Sequence, residues 1–204
     1  MDATTVRGAS LVLFAYFLGS VPFGVLVAHL FDRTVDLRKV GSGNIGATNV
    51  SRAVGKAGGI LTLALDAGKG VLAMLLVTRF LDSRLDLWIT LAGGAAFLGH
   101  IFPVYLGFRG GKGVATALGI VAFLSPAAAL LLAVLFAVIV YLTRYVSLGS
   151  LCAAVALPPV MALLASSRHA VLLSLGICFL VIFTHRENIR RLLAGEERKF
   201  GSSA

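Results

Sequence analysis

Apolar residues in this chain neither alternate nor gather on one face of a helical period; they run in long blocks separated by short polar, glycine-rich or basic segments. The blocks lie near residues 8–30, 58–80, 87–106, 114–125, 126–143, 148–165 and 170–185. A helix needs about 20 apolar residues to cross the hydrocarbon core of a bilayer. The pattern therefore predicts an all-α, polytopic membrane helix bundle of about seven transmembrane helices, in one domain covering residues 1–204. The fourth block is short, which predicts a half-helix or a tilted span packed inside the bundle. The first block follows Asp2 to Arg7 as a signal peptide would, but it runs on from Ala9 to Phe31 and no A-x-A site ends it. It is too long for a cleaved apolar region and reads as a retained first span, bent at Pro22.

Composition sharpens this picture. Of 204 residues, 58% are hydrophobic and 13% charged, and mean hydropathy is +0.96; a water-soluble core is excluded. The net charge of +9, from 18 Lys and Arg against 9 Asp and Glu, is unevenly placed. With seven spans, Arg33, Arg38, Lys39, Arg52, Lys56, Arg109, Lys112, Arg144, Arg186, Arg190, Arg191, Arg198 and Lys199 share one side. Arg7, Arg79, Arg84 and Arg168 share the other. Short basic loops resist translocation, so the N-terminus is expected outside and the C-terminus in the cytoplasm. The loops 32–57, 107–113 and 144–147 and the tail after Thr184 then face the cytoplasm together. Basic residues scattered between apolar spans form no stripe for nucleic acid. Cys152 and Cys178 fall inside apolar blocks and suggest neither a disulfide nor a metal site. His29, His100 and His169 show no ligand spacing, so no metal and no cofactor are expected.

Three segments carry candidate chemistry. The first is Gly41-Ser42-Gly43-Asn44-Ile45-Gly46-Ala47-Thr48-Asn49, followed by Arg52. Glycines interleaved with hydroxyl and amide side chains let successive N–H groups line a concave nest for an anion, and Arg52 can clamp a phosphate with two parallel hydrogen bonds. The second is Gly107-Phe108-Arg109-Gly110-Gly111-Lys112-Gly113. It is not a nucleotide-binding P-loop, because Leu106 stands where the first Gly belongs and Gly113 where a Ser or Thr would hold Mg²⁺. What remains is a basic, glycine-rich lead-in to a helix N-terminus, which favours an anion. The third is His185-Arg186-Glu187-Asn188-Ile189-Arg190-Arg191. His185 and Asn188 share a helix face and suit phosphate binding or proton transfer; a plain positive-inside helix end explains the arginines equally well. Ser147 joins the candidates for its place on the same side. Asp66 and Lys69, inside the second block, are functional suspects as intramembrane charges. The simpler reading, an i,i+3 pair with Lys69 reaching for the interface, is preferred.

Taken together, GSGNIGATNVSR, GHIFPVYLGFRGGKGVATALG and HRENIRRLLAGEE, in that order between apolar spans, resemble the bacterial acyl-phosphate:glycerol-3-phosphate acyltransferase family over nearly the whole chain. The resemblance implies transfer of a fatty acyl group from acyl phosphate to the 1-hydroxyl of glycerol 3-phosphate, giving lysophosphatidate and phosphate at the bacterial plasma membrane. It implies that Ser42, Arg52, Lys112, His185 and Asn188 bind substrate or act in catalysis. Gly41, Gly43, Asn44, Thr48, Asn49, Gly110, Gly111, Gly113 and Ser147 are expected to help hold the phosphates. Membrane lipid is an expected partner; nucleic acid and an obligatory protein partner are not.

The main rival is a transporter or channel for phosphorylated anions. No internal repeat is visible, and the motifs collect on one face, whereas a transporter needs its site near the midplane. A non-catalytic membrane adaptor leaves the three loops unexplained.

Overall fold

The computed structural model describes residues 2–83, 85–164 and 167–201. Arg84, assigned above to the outer side, lies outside the described residues. The chain forms α1 (Ala3–Ser20), α2 (Phe23–Phe31), α3 (Ala47–Val54), α4 (Lys56–Phe80), α5 (Leu85–Ile101), a 3₁₀ turn (Val104–Leu106), α6 (Val114–Leu124), α7 (Pro126–Thr143), α8 (Val146–Leu164), α9 (Arg168–Thr184) and α10 (Arg186–Leu193). No strand occurs among the described residues. The helices divide into two compact units, Met1–Phe123 and Leu124–Ala204.

Among the described residues, five segments are long and apolar enough to cross a membrane: Ala3–Phe31, Lys56–Phe80, Leu85–Leu106, Pro126–Thr143 and Val146–Leu164. A sixth arises if α9 and α10, bent by 58° at their junction, count as one. The remaining apolar block is α6, with 11 residues. At 1.5 Å per residue it rises about 16 Å, roughly half the hydrocarbon thickness.

In the first unit, α1 lies against α5 and α4. Lipid chains are as apolar as the side chains they replace, so helices in a bilayer adhere by close backbone approach at small residues. Ala15, Ala73, Ala92 and Ala96 supply that surface, with Val77 and Trp88 beside them. Contact is tightest where a methyl on Gly19 would overlap the Ala96 backbone and one on Gly99 would overlap the Tyr16 carbonyl. Tyr16 adds a bond from its hydroxyl to the Phe102 carbonyl at 2.8 Å.

The first span breaks at Val21-Pro22, as the sequence suggests, because proline has no N–H and cannot continue the ladder. A break inside hydrocarbon must be satisfied from within the protein. Lys69 does this by donating from Nζ to the Val21 carbonyl at 3.1 Å. The expectation that Lys69 reaches for the interface is thereby corrected: its side chain is buried, and it points to the carbonyl that the break makes available.

In the second unit, α8 packs on α7 and α9. Ser125 and Ser167 cap α7 and α9 by accepting from the Ala128 and Ala170 N–H groups, and Pro126 occupies the first turn of α7, where its missing N–H is harmless.

The α1–α5 crossing predicts opposite outcomes for two glycine substitutions in the first unit. Gly19→Ala overpacks the crossing and costs about 1–3 kcal/mol. Gly68→Ala, on an open face of α4 with nothing within 4 Å, leaves stability unchanged or raises it by up to about 1 kcal/mol. Thermal unfolding of both variants in one detergent checks the contrast.

Candidate active site

The first glycine-rich segment of the Met1–Phe123 unit is built around Asn49. This side chain is 2% exposed. Its Oδ1 accepts from the Ser42 N–H at 2.9 Å, and its Nδ2 donates to the Leu37 and Val40 carbonyls, both at 3.0 Å. Both amide hydrogens are spent, so Asn49 is the keel of the loop and not the phosphate donor expected from its position. Asn44 makes a local turn by accepting from the Gly46 N–H at 2.8 Å, and Gly43 N–H donates to Val40. Gly41 holds φ 57° against Asn49 Oδ1, a place where a side chain would both strain the backbone and collide. Buried Ile45 anchors the loop, its carbonyl tight against Gly24 of α2.

These bonds revise the nest expected here. The N–H groups of Ser42, Gly43 and Gly46 serve the loop itself. Side chains are what the loop presents: Ser42 and Arg52 are exposed, and the Arg52 stem runs beside Gly41, its Cδ 3.6 Å from where a Gly41 methyl would stand. Helix α3 then starts at Ala47 without a side-chain cap, bringing the donors of its first turn and Thr48 to the same segment.

The second segment follows the same economy. Gly110 N–H donates to Ile101 at 3.0 Å and Gly111 N–H to His100 at 3.1 Å, so both cap the carbonyl end of α5. The expectation that these two amides hold phosphate is corrected accordingly. Lys112, half-buried, and Gly113 lead directly into α6, whose first-turn N–H groups have no intrahelical acceptor. The two segments are tied at the rim by Arg38, which donates from Nη2 to the Arg109 carbonyl at 2.7 Å.

In the Leu124–Ala204 unit, His185 stands at the elbow between α9 and α10, with φ −96° and ψ 7°. It is 2% exposed, and its Nδ1 lies 2.8 Å from the Val181 carbonyl. A carbonyl only accepts, so Nδ1 carries the proton and Nε2 is the basic nitrogen. Asn188, buried one turn along, donates from Nδ2 to Glu197 Oε1 at 2.7 Å. The same oxygen accepts from Ser147 Oγ at 2.7 Å, and Oε2 accepts from Arg191 Nε at 2.8 Å. Ser147 is thus bound to a carboxylate, with Glu197 between it and Asn188. Partial burial pushes the Glu197 carboxyl up, but its bonds to Asn188, Ser147 and Arg191 outweigh this and hold it below its ordinary 4.5.

The tail reaches back because α10 ends in a Schellman turn. Gly195 N–H bonds Leu192, Glu196 N–H bonds Arg191, and Gly195 takes φ 71°. Glu197 is not among the residues the sequence motifs point to. Its visible signal was the helix-ending Ala194-Gly195 placed before two carboxylates. His100 was also passed over: its Nδ1 is 3.5 Å from Asp66 Oδ1, and Asp66 is itself 2.8 Å from Lys69 Nζ. Among the described residues no three His, Cys, Asp or Glu form a group able to hold a metal ion.

Residues 9–195 match the family model of glycerol-3-phosphate acyltransferases. The chain belongs to that family. A glycerol-3-phosphate acyltransferase of Anaeromyxobacter sp. (strain K) is 50% identical over 200 residues, covering 94% of this chain and 96% of the relative. The crystal structure of PlsY, an integral membrane glycerol 3-phosphate acyltransferase, in its glycerol 3-phosphate form superposes with a TM-score of 0.89 at 44% identity. That of its lysophosphatidic acid form gives 0.87 at 42%; each match covers 96% of both chains. The family expected from the three motifs is therefore the family shown. The chain is an integral membrane glycerol-3-phosphate acyltransferase of phospholipid synthesis.

The Glu197 bridge has a testable cost. Glu197→Gln puts an amide N–H₂ among three donors and destabilises the protein by about 1.5–3 kcal/mol. Because the folded carboxyl is held low, its stabilisation is complete above the ordinary 4.5 and is lost as pH falls through the folded value. Thermal midpoints measured from pH 7 downward should show this acid loss in the native protein and not in Glu197→Gln.

Proposed function

We propose that the acyl donor is acyl phosphate and that the acceptor is the 1-hydroxyl of glycerol 3-phosphate, giving lysophosphatidate and inorganic phosphate. The observation that carries this reading is the pair of basic loop segments in one unit, each committing several of its glycine amides to the protein and carrying cationic side chains. Two phosphate-bearing substrates require two such places, since each phosphate is largely dianionic near pH 7. Ser42, Arg52 and Lys112 offset that charge, with the first turns of α3 and α6. The acyl chain stays among the apolar helices, where burial is worth about 0.8 kcal/mol per CH₂.

The reaction needs orientation and charge stabilisation more than a strong acid, because phosphate is a good leaving group. The glycerol hydroxyl oxygen attacks the acyl carbonyl carbon directly. The carbon–oxygen bond to phosphate breaks with its electron pair leaving on phosphate, and the hydroxyl proton passes to that phosphate or to His185 Nε2. Asn188, with its Nδ2 bonded to Glu197, and Ser147 complete the polar set of the second unit. In this reading residues 1–204 are a single functional domain.

The reading includes a seven-span topology in the bacterial plasma membrane, with the N-terminus outside and the reactive loops facing the cytoplasm. It needs no cofactor and no obligatory protein partner.

The first test is phosphate release from palmitoyl phosphate by purified protein, with and without glycerol 3-phosphate, followed by detection of lysophosphatidate. Release that requires glycerol 3-phosphate is expected; folded protein without turnover on this donor would redirect the search to other acyl donors. Arg52→Ala and Lys112→Ala should each lower kcat/KM by about a hundredfold while leaving the protein folded. An acyl group trapped on Ser42 would replace direct attack with a covalent route.

A further inference from the structure

Asp66, Lys69 and His100 form a buried polar cluster that the proposed chemistry does not use. Their exposures are 1%, 3% and 5%. Lys69 Nζ lies 2.8 Å from Asp66 Oδ1, donates to the Val21 carbonyl at 3.1 Å and faces the Phe23 ring. Asp66 Oδ1 also lies 3.5 Å from His100 Nδ1. At the far side of the imidazole, Nε2 abuts Gly111 so closely that a methyl there would overlap it, and the His100 carbonyl accepts from the Gly111 N–H. Polar contacts and packing therefore run from the broken first span through Lys69, Asp66 and His100 to the residue before Lys112.

The surrounding recess is lined also by Ile45 and Pro103. Ile45 is the buried anchor of the first loop, and Pro103 accepts from the Phe108 N–H at the start of the second. The cluster thus lies beneath both segments, while the Arg38 bond to Arg109 ties them at the rim. A buried ion pair adds little stability over a well-packed apolar pair of the same volume. What it supplies is directional: Lys69 reaches both Asp66 and the Val21 carbonyl, which fixes the side chains relative to the broken span.

We propose that Asp66, Lys69 and His100 are positioning residues that set the two loop segments relative to each other, and so hold Lys112 where a substrate phosphate meets it. The stake is electrostatic. Interaction between unit charges scales inversely with separation, so two dianions brought together for reaction are sensitive to where the cations stand. The inference rests on the reading that Lys112 binds a substrate phosphate.

The test is equilibrium binding of glycerol 3-phosphate and, separately, palmitoyl phosphate to purified protein in detergent, so that an inactive variant still reports. His100→Phe keeps a ring and removes both nitrogens. It should weaken the same ligand that Lys112→Ala weakens, by about fivefold to twentyfold, with little change in thermal midpoint. The His100→Phe/Lys112→Ala double variant should bind no more weakly than Lys112→Ala alone, since His100 acts through that side chain. His100→Gln, which returns an amide nitrogen toward Asp66, should recover part of the loss. Unchanged affinity in His100→Phe, or losses that multiply in the double variant, would overturn the proposal. So would failure of both His100 variants to fold, which would make His100 a folding determinant. If Lys112→Ala binds both ligands normally, the phosphate-site reading itself falls, and this inference with it; that result differs from normal binding in His100→Phe alone.

Discussion

In hydrocarbon no water is present to satisfy a backbone N–H or C=O, so any irregular stretch of chain must find its partners within the protein. The break in the first span meets that constraint directly, and buried backbone groups in the loops outside the hydrocarbon are satisfied in the same way. Where the first span breaks at Val21-Pro22, Lys69 supplies a donor. Where α5 ends, Gly110 and Gly111 turn back to cap the His100 and Ile101 carbonyls. Where the first glycine-rich segment leaves the helical ladder, Asn49 gathers the Leu37 and Val40 carbonyls and the Ser42 N–H into one buried amide.

The consequence for function is a division of labour between backbone and side chains. Successive amides of a glycine-rich loop can form a concave nest for phosphate. Here many amides are committed to the protein, and the proposed function accordingly gives anion binding to Arg52, Lys112, Ser42 and the opening turns of α3 and α6. The glycines of the second segment donate to the end of α5 and also allow close approach, as Gly111 does against the imidazole of His100. The second unit applies the same logic with a carboxylate. Glu197 collects Ser147, Asn188 and Arg191, and the Schellman turn at Gly195 gives it the reach.

The helical class, the membrane setting and the places of all the apolar blocks were legible in the chain, because bilayer thickness imposes a length and a composition that no other environment demands. The motifs were legible too, since glycine, amide and basic residues clustered between apolar runs have few other uses. Pro22 announced the break in the first span by its missing N–H.

Partnership was not legible. Asp66 and Lys69 stand three apart on one helix and suggest a local pair, yet they also meet His100 and Val21, 34 and 48 positions away respectively. Asn49 and Thr48 looked alike as donors until the fold used up one of them. Glu197 looked like part of a solvated tail until a helix end turned it inward. Local periodicity reports how a segment meets its solvent, and the bilayer makes that message strong. Which buried donor meets which acceptor depends on distances between elements far apart in the chain, and only the packed tertiary structure decides those.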